Sequence, residues 1–487
     1  MCTACDLAAL GIVPNLNPCH CGAPYTMAAY ARLAADLKRR EFLGGAAAVM
    51  GMFAGFGLAP REVMAQTPGR PILLTNLRLF DGVTKAIREG VDILVAGDVI
   101  SGLPPTGQGP EEALRIDCGG RTVTPGLIET HGHVTLAGTT QLAALAGDVA
   151  LVHLISGQIA GAMLMQGFTT VRDVGGPTFG LKMAIDRGIV AGPRIFPSGA
   201  MLSQTSGHGD FRMLHEVPRF PLTAPHRTET EGVAIIADGA DAVLRHTREQ
   251  LMKGAAQIKI MAGGGVSSLY DPLDTVQYTV PEMRAAVQAA ADWGTYVCAH
   301  VYTDEGIRRC METGVRCIEH GQLASEETVR MIADSGTWWS IQPFLADEDS
   351  NPKSDPVQQR KQEEVARGTE RAFELAKKYP VKMSFGTDTL FNAEGVRKMG
   401  RQLNKFSRYM GTLDALHLAT GAAGELLSLS GPRAPYPGRL GVIEAGAMAD
   451  ILVFDGDLTR NLDPIENHAT DLRLIMKGGR IVKDTRA

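Results

Sequence analysis

Eight short apolar runs dominate the middle of the chain, and helical stretches such as 282–292 and 358–378 lie between several of them. Strands that alternate with helices pair in parallel. Eight such units over about 250 residues match a closed (β/α)8 barrel. The sequence therefore predicts an α/β fold of the TIM-barrel type. The runs are 123–128, 168–173, 194–199, 256–261, 295–300, 315–320, 337–342 and 381–387.

Short strands and turns flank this region on both sides. Residues 66–123 contain the turns Asp81-Gly82 and Gly97-Asp98, and residues 435–487 contain Gly478-Gly479. Such turns between apolar runs are typical of β-hairpins. We therefore expect the two ends to form one small β-sandwich around a barrel at 124–434. The stretch 203–240, rich in Gly, Pro and His, is predicted to be an extended loop over the barrel mouth.

Residues 1–65 read as a leader rather than as part of the fold. A basic triplet, Lys38 to Arg40, precedes the apolar run 42–59, and the small-residue pattern Val63-Met64-Ala65 follows. This order is typical of a secretory signal, and Arg39-Arg40 resembles the twin-arginine type. We predict export by the twin-arginine machinery to the periplasm or beyond, with no stable membrane span after cleavage. An uncleaved anchor or a buried helix is the alternative.

Four cysteines crowd the proposed leader, and four thiolates are able to complete a zinc tetrahedron. Because they precede the proposed cleavage site, we interpret them as incidental to the mature protein. They are Cys2, Cys5, Cys19 and Cys21.

The composition narrows the classes of partner. Of the 487 residues, 45% are hydrophobic and 21% are charged, a balance that excludes wholesale disorder. The net charge is −5, and the sequence contains no phosphate-binding P-loop motif. Neither feature indicates a nucleic-acid partner.

Polar side chains mark the ends of several predicted strands. In THGHV, two histidines are separated by one residue, so an extended backbone turns both imidazoles to the same side. A lysine lies inside the apolar run QIKIM, where a charge is costly unless it is paired or modified. The carboxyl ends of barrel strands are where catalytic residues of this fold gather, so their coincidence there predicts a metal site. The six residues are His131, His133, Lys259, His300, His320 and Asp388.

These motifs, TPGLIETHGHV, the lysine strand, CAH, EHG and GTDT, resemble the amidohydrolase superfamily in its two-metal, carbamylated-lysine form. The resemblance covers about 70–485. Within the superfamily, 198–210 and 258–268 are similar to the imidazolonepropionase-related peptidases. That group includes Xaa-Pro dipeptidases, carboxypeptidase-like enzymes and enzymes that cleave the amide of ochratoxin.

The resemblance implies a role for each of the six residues. His131, His133 and Asp388 would hold one metal ion, and His300 and His320 the other. Lys259, as a CO2-derived carbamate, would bridge both. Mixed histidine and carboxylate ligands suit hydrolytic zinc, with manganese or cobalt as alternatives. A hydroxide shared by the two ions would attack an amide, and Asp388 would carry its proton to the leaving amine.

Rival chemistries remain open at this point. Deaminases of the superfamily carry a glutamate where this chain has Thr303 and lack the bridging lysine, so the sequence favours amide hydrolysis over deamination. A lactone or phosphotriester hydrolase would use a similar metal core. A metal-binding protein without catalysis is the alternative of another class.

The substrate is expected to be a dipeptide or an N-acyl amino acid, with ochratoxin-type amides as candidates. His208, in TSGHGD, and Tyr270, after the glycine run 263–265, are the candidate substrate contacts. Arg172 and Asp173 at the second strand end are interpreted as a structural pair. The resemblance also implies a homo-oligomer.

Overall fold

The computed structural model describes residues 70–218, 224–351 and 353–486. The predicted leader, its cleavage site and its four cysteines lie outside these residues, so export and the role of those cysteines stay predictions. Within the described part of the chain, no helix combines the length and the apolar character needed to cross a bilayer.

The strands fall into a terminal group and a central group. In chain order they are β1 (Ile72–Phe80), β2 (Ile87–Arg88), β3 (Ile93–Ala96), β4 (Val99–Gly102), β5 (Leu114–Pro125), β6 (Leu127–Gly132), β7 (Phe168–Asp173), β8 (Arg194–Pro197), β9 (Met201–Ser203), β10 (Ala234–Ile236), β11 (Ile258–Met261), β12 (Val297–Val301), β13 (Cys317–His320), β14 (Trp338–Ile341), β15 (Lys382–Phe385), β16 (Ile451–Phe454), β17 (Leu472–Lys477) and β18 (Arg480–Asp484).

Most helices lie between the central strands. They are α1 (Val134–Ala137), α2 (Gln141–Ala146), α3 (Val149–Met165), α4 (Phe179–Asp186), α5 (Arg227–Thr230), α6 (Ala240–Met252), α7 (Val280–Asp292), α8 (Asp304–Thr313), α9 (Glu326–Ser335), α10 (Pro356–Lys378), α11 (Met399–Met410), α12 (Thr412–Leu418), α13 (Gly421–Ser428), α14 (Asp463–Glu466) and α15 (His468–Asp471). Short 3-10 turns cover Leu214–Glu216, Gly395–Lys398 and Gly431–Arg433.

Local signals set the starts of the two helices named from the sequence. Asp355 caps α10 by accepting from the amides of Val357 (2.9 Å) and Gln358 (3.0 Å). The amide of Thr279 donates to the Glu282 carboxylate at 2.7 Å in a capping box at the start of α7. Both devices satisfy amides that a helix leaves without an internal partner. The helices therefore begin two residues before the predicted starts.

The central strands form two parallel sheets, β6-β7-β8 and β10-β9-β11-β12-β13-β14-β15. Every residue of β11, β12, β13 and β14 is buried. Parallel strands covered by helices on one face and by the barrel interior on the other show no polar alternation. Polar residues in these strands are therefore enclosed.

The two sheets meet at both margins, although no continuous ladder of hydrogen bonds closes the ring. Between β15 and β6, the amide of Asp388 donates to the carbonyl of His131 at 3.0 Å. Between β8 and β11, the amide of Ala256 donates to the carbonyl of Pro197 at 2.7 Å. These contacts place the predicted strands in one barrel-type ring, consistent with the TIM-barrel class.

The two ends of the described chain share one eight-stranded sheet in the order β18-β17-β16-β5-β1-β3-β4, with β2 paired to β1. Strand β16 pairs antiparallel with β5, with Val453 opposite Val123. The sheet packs around its own apolar core, separate from that of the barrel. The two predicted β segments are thus joined by backbone hydrogen bonds into one sheet. Strand β5 extends two residues past the predicted boundary at 123.

Two expectations about the barrel need correction. The run 123–128 is divided between two structures, because β5 ends at Pro125 and β6 begins at Leu127. The stretch 203–240 is not simply an extended loop. It contains a 3-10 turn, α5 and β10, and β10 adds to the parallel sheet beside β9.

Candidate metal centre

One cavity at the barrel mouth is lined by all six side chains that the sequence marked at the strand ends. His131 is the penultimate residue of β6, and His133 directly follows the strand. Lys259 lies in β11, and His300 lies in β12. The two remaining residues come from later strands: His320 ends β13, and Asp388 lies three residues after β15.

Asp388 lies at the middle of the cluster. Its Oδ1 is 3.2 Å from Nε2 of His133 and 3.4 Å from Nε2 of His131. One ligand-type atom from each of His131, His320 and Asp388 lies within 4.8 Å of the others. The ammonium of Lys259 is 3.4 Å from Nε2 of His131. Donor atoms this close together, and drawn from four strand ends, are arranged as metal ligands are.

His300 and His320 continue the cluster. Their ring centroids are 4.5 Å apart, and the ring of His320 is 4.8 Å from that of His131. The four imidazoles therefore form one contiguous group with Asp388 and Lys259.

Each of the four imidazoles has one ring nitrogen fixed by another polar group. Nδ1 of His131 contacts Oε2 of Glu319 at 2.7 Å, and Nδ1 of His133 contacts the carbonyl of Gly175 at 2.8 Å. These acceptors select the tautomer that leaves Nε2 with a free lone pair, and metal-binding histidines commonly carry such a second partner.

The other two histidines follow the same rule. Nδ1 of His320 contacts Oε1 of Gln342 at 2.7 Å, which leaves Nε2 available. His300 uses the opposite nitrogen, because its Nε2 contacts the carbonyl of Gly264 at 3.1 Å. Its Nδ1 is therefore the atom left for a metal.

Glu319 is a positioning residue that the sequence analysis missed. It also accepts from Arg172 at 2.6 Å, and both side chains are fully buried. Burial would raise the pKa of Glu319, but the charge of Arg172 and the contact with His131 hold it well below its usual range. The only sequence signal for Glu319 is a glutamate one position before His320. Its partners Arg172 and His131 are 147 and 188 residues away in the sequence.

Arg172 and Asp173 do not pair with each other. Arg172 binds Glu319, while Asp173 accepts from the amide of Val134 at 2.8 Å and from the hydroxyl of Thr178 at 3.1 Å. Their role is structural, as expected, but each acts through a different partner.

Burial keeps the imidazoles of His131, His300 and His320 neutral. It lowers the pKa of His131 to about 4, and the charge of Lys259 adds to this effect. Burial also holds the pKa values of His300 and His320 well below their usual range. Neutral imidazoles at pH 7 are the form that binds a metal.

Asp388 is ionised at neutral pH. Burial would raise its pKa, but the imidazoles of His131, His133 and His320 hold it well below the usual range. The anionic carboxylate therefore serves either as a metal ligand or as a proton acceptor.

Lys259 has an unbalanced charge. Its side chain is almost fully buried, and among the described residues no carboxylate lies within 4.0 Å of its ammonium. Burying an unpaired ammonium is costly. Conversion to a carbamate would replace that cation with an oxygen ligand. The lysine environment and the histidine and carboxylate donors therefore fit the modified residue and the two divalent ions that the superfamily implies.

The backbone is unusual at two of the strand ends. His320 has φ = 75° and Asp388 has φ = 50°, both in the left-handed region. Such conformations are disfavoured for residues with a side chain and concentrate at functional sites. They turn each side chain into the cavity just where its strand ends.

The two predicted substrate contacts behave differently. His208 lines the cavity, and its ring stacks on that of His300 with centroids 4.1 Å apart. Tyr270 is 40% exposed and is not among the described residues that line the cavity. The prediction for Tyr270 therefore needs correction, because it lies beyond the loop that holds His208.

The glycine run 263–265 makes room for His208. A Cβ on Gly265 would lie 2.0 Å from the imidazole, so only glycine fits there. Nδ1 of His208 contacts the Ser268 hydroxyl at 2.6 Å and Asp271 at 3.1 Å. The buried ammonium of Lys361 then donates to the carbonyl of Gly265 at 2.9 Å. The glycine at position 265 therefore allows His208 to pack against the backbone.

A family model and curated proteins match this chain over most of its length. The amidohydrolase family model matches residues 122–482. A curated protein from Aspergillus niger named ochratoxinase is 30% identical over 337 residues, which cover 66% of this chain and 66% of that protein. The match thus spans slightly less than two thirds of the length of these curated relatives.

Solved structures extend the comparison. A prolidase in complex with N-methylphosphonate-L-proline is 34% identical, with a TM-score of 0.77 over 85% of this chain and 100% of that one. A Xaa-Pro dipeptidase with methionine bound in its active site is 26% identical, with a TM-score of 0.73 over 85% of this chain and 100% of that one.

Proposed function

Because this chain belongs to the amidohydrolase family, we propose that it is a metal-dependent hydrolase that cleaves the amide bond of a dipeptide or an N-acyl amino acid. One observation carries the proposal. Four buried histidines each have one ring nitrogen fixed by a separate acceptor. They surround an ionised carboxylate and a lysine that has no carboxylate partner in the part of the chain that the structure describes. Such a donor set suits hydrolytic metal ions.

We assign the ligands from these contacts. His131, His133 and Asp388 would hold one divalent cation, and His300 and His320 a second, with Lys259 as its carbamate joining the two. When bound, two such ions supply a nucleophile near neutral pH and polarise a carbonyl. Zinc is the proposed metal, because imidazole and carboxylate donors suit it.

Asp388 is the proposed proton carrier. Its carboxylate is ionised at neutral pH and partly open to the cavity, with a side chain 15% exposed. It is therefore able to accept a proton from water and later donate it to the leaving amine.

The rest of the cavity suits an apolar amino-acid side chain. About half of the lining residues outside the six site residues are apolar, and the larger of these include Leu136, Met201, Phe211, Met261, Val266, Phe344, Leu390 and Phe391. The relatives include a prolidase bound to N-methylphosphonate-L-proline and a Xaa-Pro dipeptidase with bound methionine, which supports a dipeptide-like substrate for this chain. An ochratoxin-type amide is a further candidate, and His208 is the proposed polar contact.

The test is a screen of dipeptides and N-acyl amino acids with the zinc-loaded protein, read as release of free amino acid. We expect turnover by the wild type and almost none by Asp388→Asn. Lactones and phosphotriesters are included in the same screen. Turnover of only those compounds, or equal turnover by the Asp388→Asn variant, would contradict the proposal.

A further inference from the structure

Among the described charged residues along the cavity, one cation outside the metal centre has no carboxylate partner. Among the described lining residues, the lysines and arginines are Lys259, Lys353 and Lys405. Lys259 belongs to the metal centre. Lys405 is neutralised, because its ammonium is 2.7 Å from Asp347 and 2.8 Å from Asp349. Within the described chain, no carboxylate lies within 4.0 Å of the ammonium of Lys353.

The backbone at Lys353 is held in place, although it belongs to a connection between β14 and α10. Its amide donates to Oε1 of Gln362 at 3.3 Å, and its carbonyl accepts from Gln359 at 2.7 Å. Nε2 of the same Gln362 donates to the carbonyl of Asn351 at 3.0 Å. Two glutamines of one long helix thus fix the position from which the lysine side chain enters the cavity.

The charge of Lys353 also interacts with that of Asp388 in the metal centre. Burial lowers its pKa, and the negative charge of Asp388 opposes that effect. The ammonium is therefore partly desolvated and shares the cavity with the proposed proton carrier. A desolvated cation without a counter-ion favours an anionic ligand group, since a charge-assisted hydrogen bond is stronger there than in water.

We infer that Lys353 binds the free carboxylate of the substrate and so selects substrates that end in an amino acid over those that end in an amide. This inference rests on the proposed function, and it adds the residue that reads the carboxylate. Lys405 and Lys361 are unsuited to the task, because the first is paired with two carboxylates and the second donates to three backbone carbonyls.

Binding is the first measurement. N-acetyl-L-phenylalanine and its carboxamide, which fit the apolar lining, are titrated by calorimetry into the zinc-loaded Asp388→Asn variant, where turnover is slow. We expect the acid to bind about 10- to 100-fold more tightly than the amide. Adding Lys353→Met should remove that difference, and adding Lys353→Arg should keep most of it.

Turnover is the second measurement. In the otherwise wild-type protein, Lys353→Met should lower kcat/KM for the acid by a similar factor, mainly through KM, and leave release of phenylalaninamide from the carboxamide nearly unchanged. Lys377→Met, which removes an exposed lysine of α10, is the matched control and should change neither. Melting temperatures check that every variant is folded.

The outcomes separate the two ideas. If the acid is not preferred, or if Lys353→Met keeps the preference, the role of Lys353 is wrong. If binding shows a preference that depends on Lys353 while the wild type hydrolyses no amide, the carboxylate site stands and the proposed function falls.

Discussion

The metal centre and the ion-pair cluster formed by Lys405, Asp347 and Asp349 line the same cavity, but they treat a buried lysine in opposite ways. In the cluster, two carboxylates neutralise Lys405. In the metal centre, Lys259 has a neutral imidazole as its polar contact at 3.4 Å. Both ammonium-bearing side chains are at most 2% exposed.

The difference teaches how a missing counter-charge is to be interpreted. A buried charge is costly unless it is paired. Where the protein supplies the partners itself, the lysine supports the structure. Where it does not, something else must complete the site, and at Lys259 we propose that CO2 and two metal ions do so. Lys353 repeats the pattern with a charge left for the substrate.

The largest effect is expected for Lys259→Ala. Removing the proposed bridging ligand should lower metal content and activity together, with activity reduced by about 1,000-fold or more, since the metal ions contribute several kcal/mol to transition-state stabilisation. Metal analysis of the dialysed protein and steady-state rates give the two readouts. A variant that retains both metal and activity would show that Lys259 only fills space.

Asp388→Asn should separate metal binding from turnover. The amide keeps an oxygen donor but cannot accept the proton, so we expect much of the metal to remain while kcat falls about 100-fold. The same metal analysis and rates apply. Loss of most of the metal, with unchanged turnover per remaining metal ion, would assign Asp388 to metal binding alone.

Gln342→Leu should have an intermediate effect. Leucine has a similar size but cannot accept from Nδ1 of His320, so the imidazole loses its orientation. Metal affinity should fall about 10-fold, the lower end for such outer partners. Competition with a chelator measures it. Gln342→Glu, which keeps an acceptor, is the matched control, and an equal loss in both variants would argue against orientation.

The smallest effect on the metal centre is expected for Lys405→Met. This variant tests whether the paired lysine supports stability rather than metal binding. It should leave metal content unchanged but reduce the free energy of unfolding by about 2 kcal/mol, because Asp347 loses its cation while Asp349 keeps Arg401 at 2.7 Å. Urea denaturation measures this. Loss of metal without loss of stability would reverse the roles given to the two lysines.

The sequence was sufficient to locate the residues that local patterns mark. The alternation in His131-Gly-His133 and the polar residues at the ends of apolar runs gave the strand order and the cluster. The same patterns misplaced the boundary at Pro125 and missed β9 and β10, because three-residue strands carry no detectable periodicity.

The site residues that the sequence analysis missed or misplaced owe their positions to contacts between residues distant in the sequence. Glu319 orients His131 from β13, a strand that does not pair with β6. Lys353 is recognised only once the structure shows no carboxylate beside it among the described residues. Tyr270 was misplaced for the same reason, since the loop after Gly265 folds over His208 and carries the tyrosine outward. Contacts across the barrel join residues that are distant in the sequence, so local sequence patterns do not predict them.

Diffraction data collected at the zinc absorption edge from crystals of the zinc-loaded protein test the central assignment most directly. We predict two anomalous peaks among His131, His133, His300, His320 and Asp388, with electron density extending past Nζ of Lys259 to contact both. Peaks absent from this cluster, or an unmodified lysine turned away from it, would contradict the assignment.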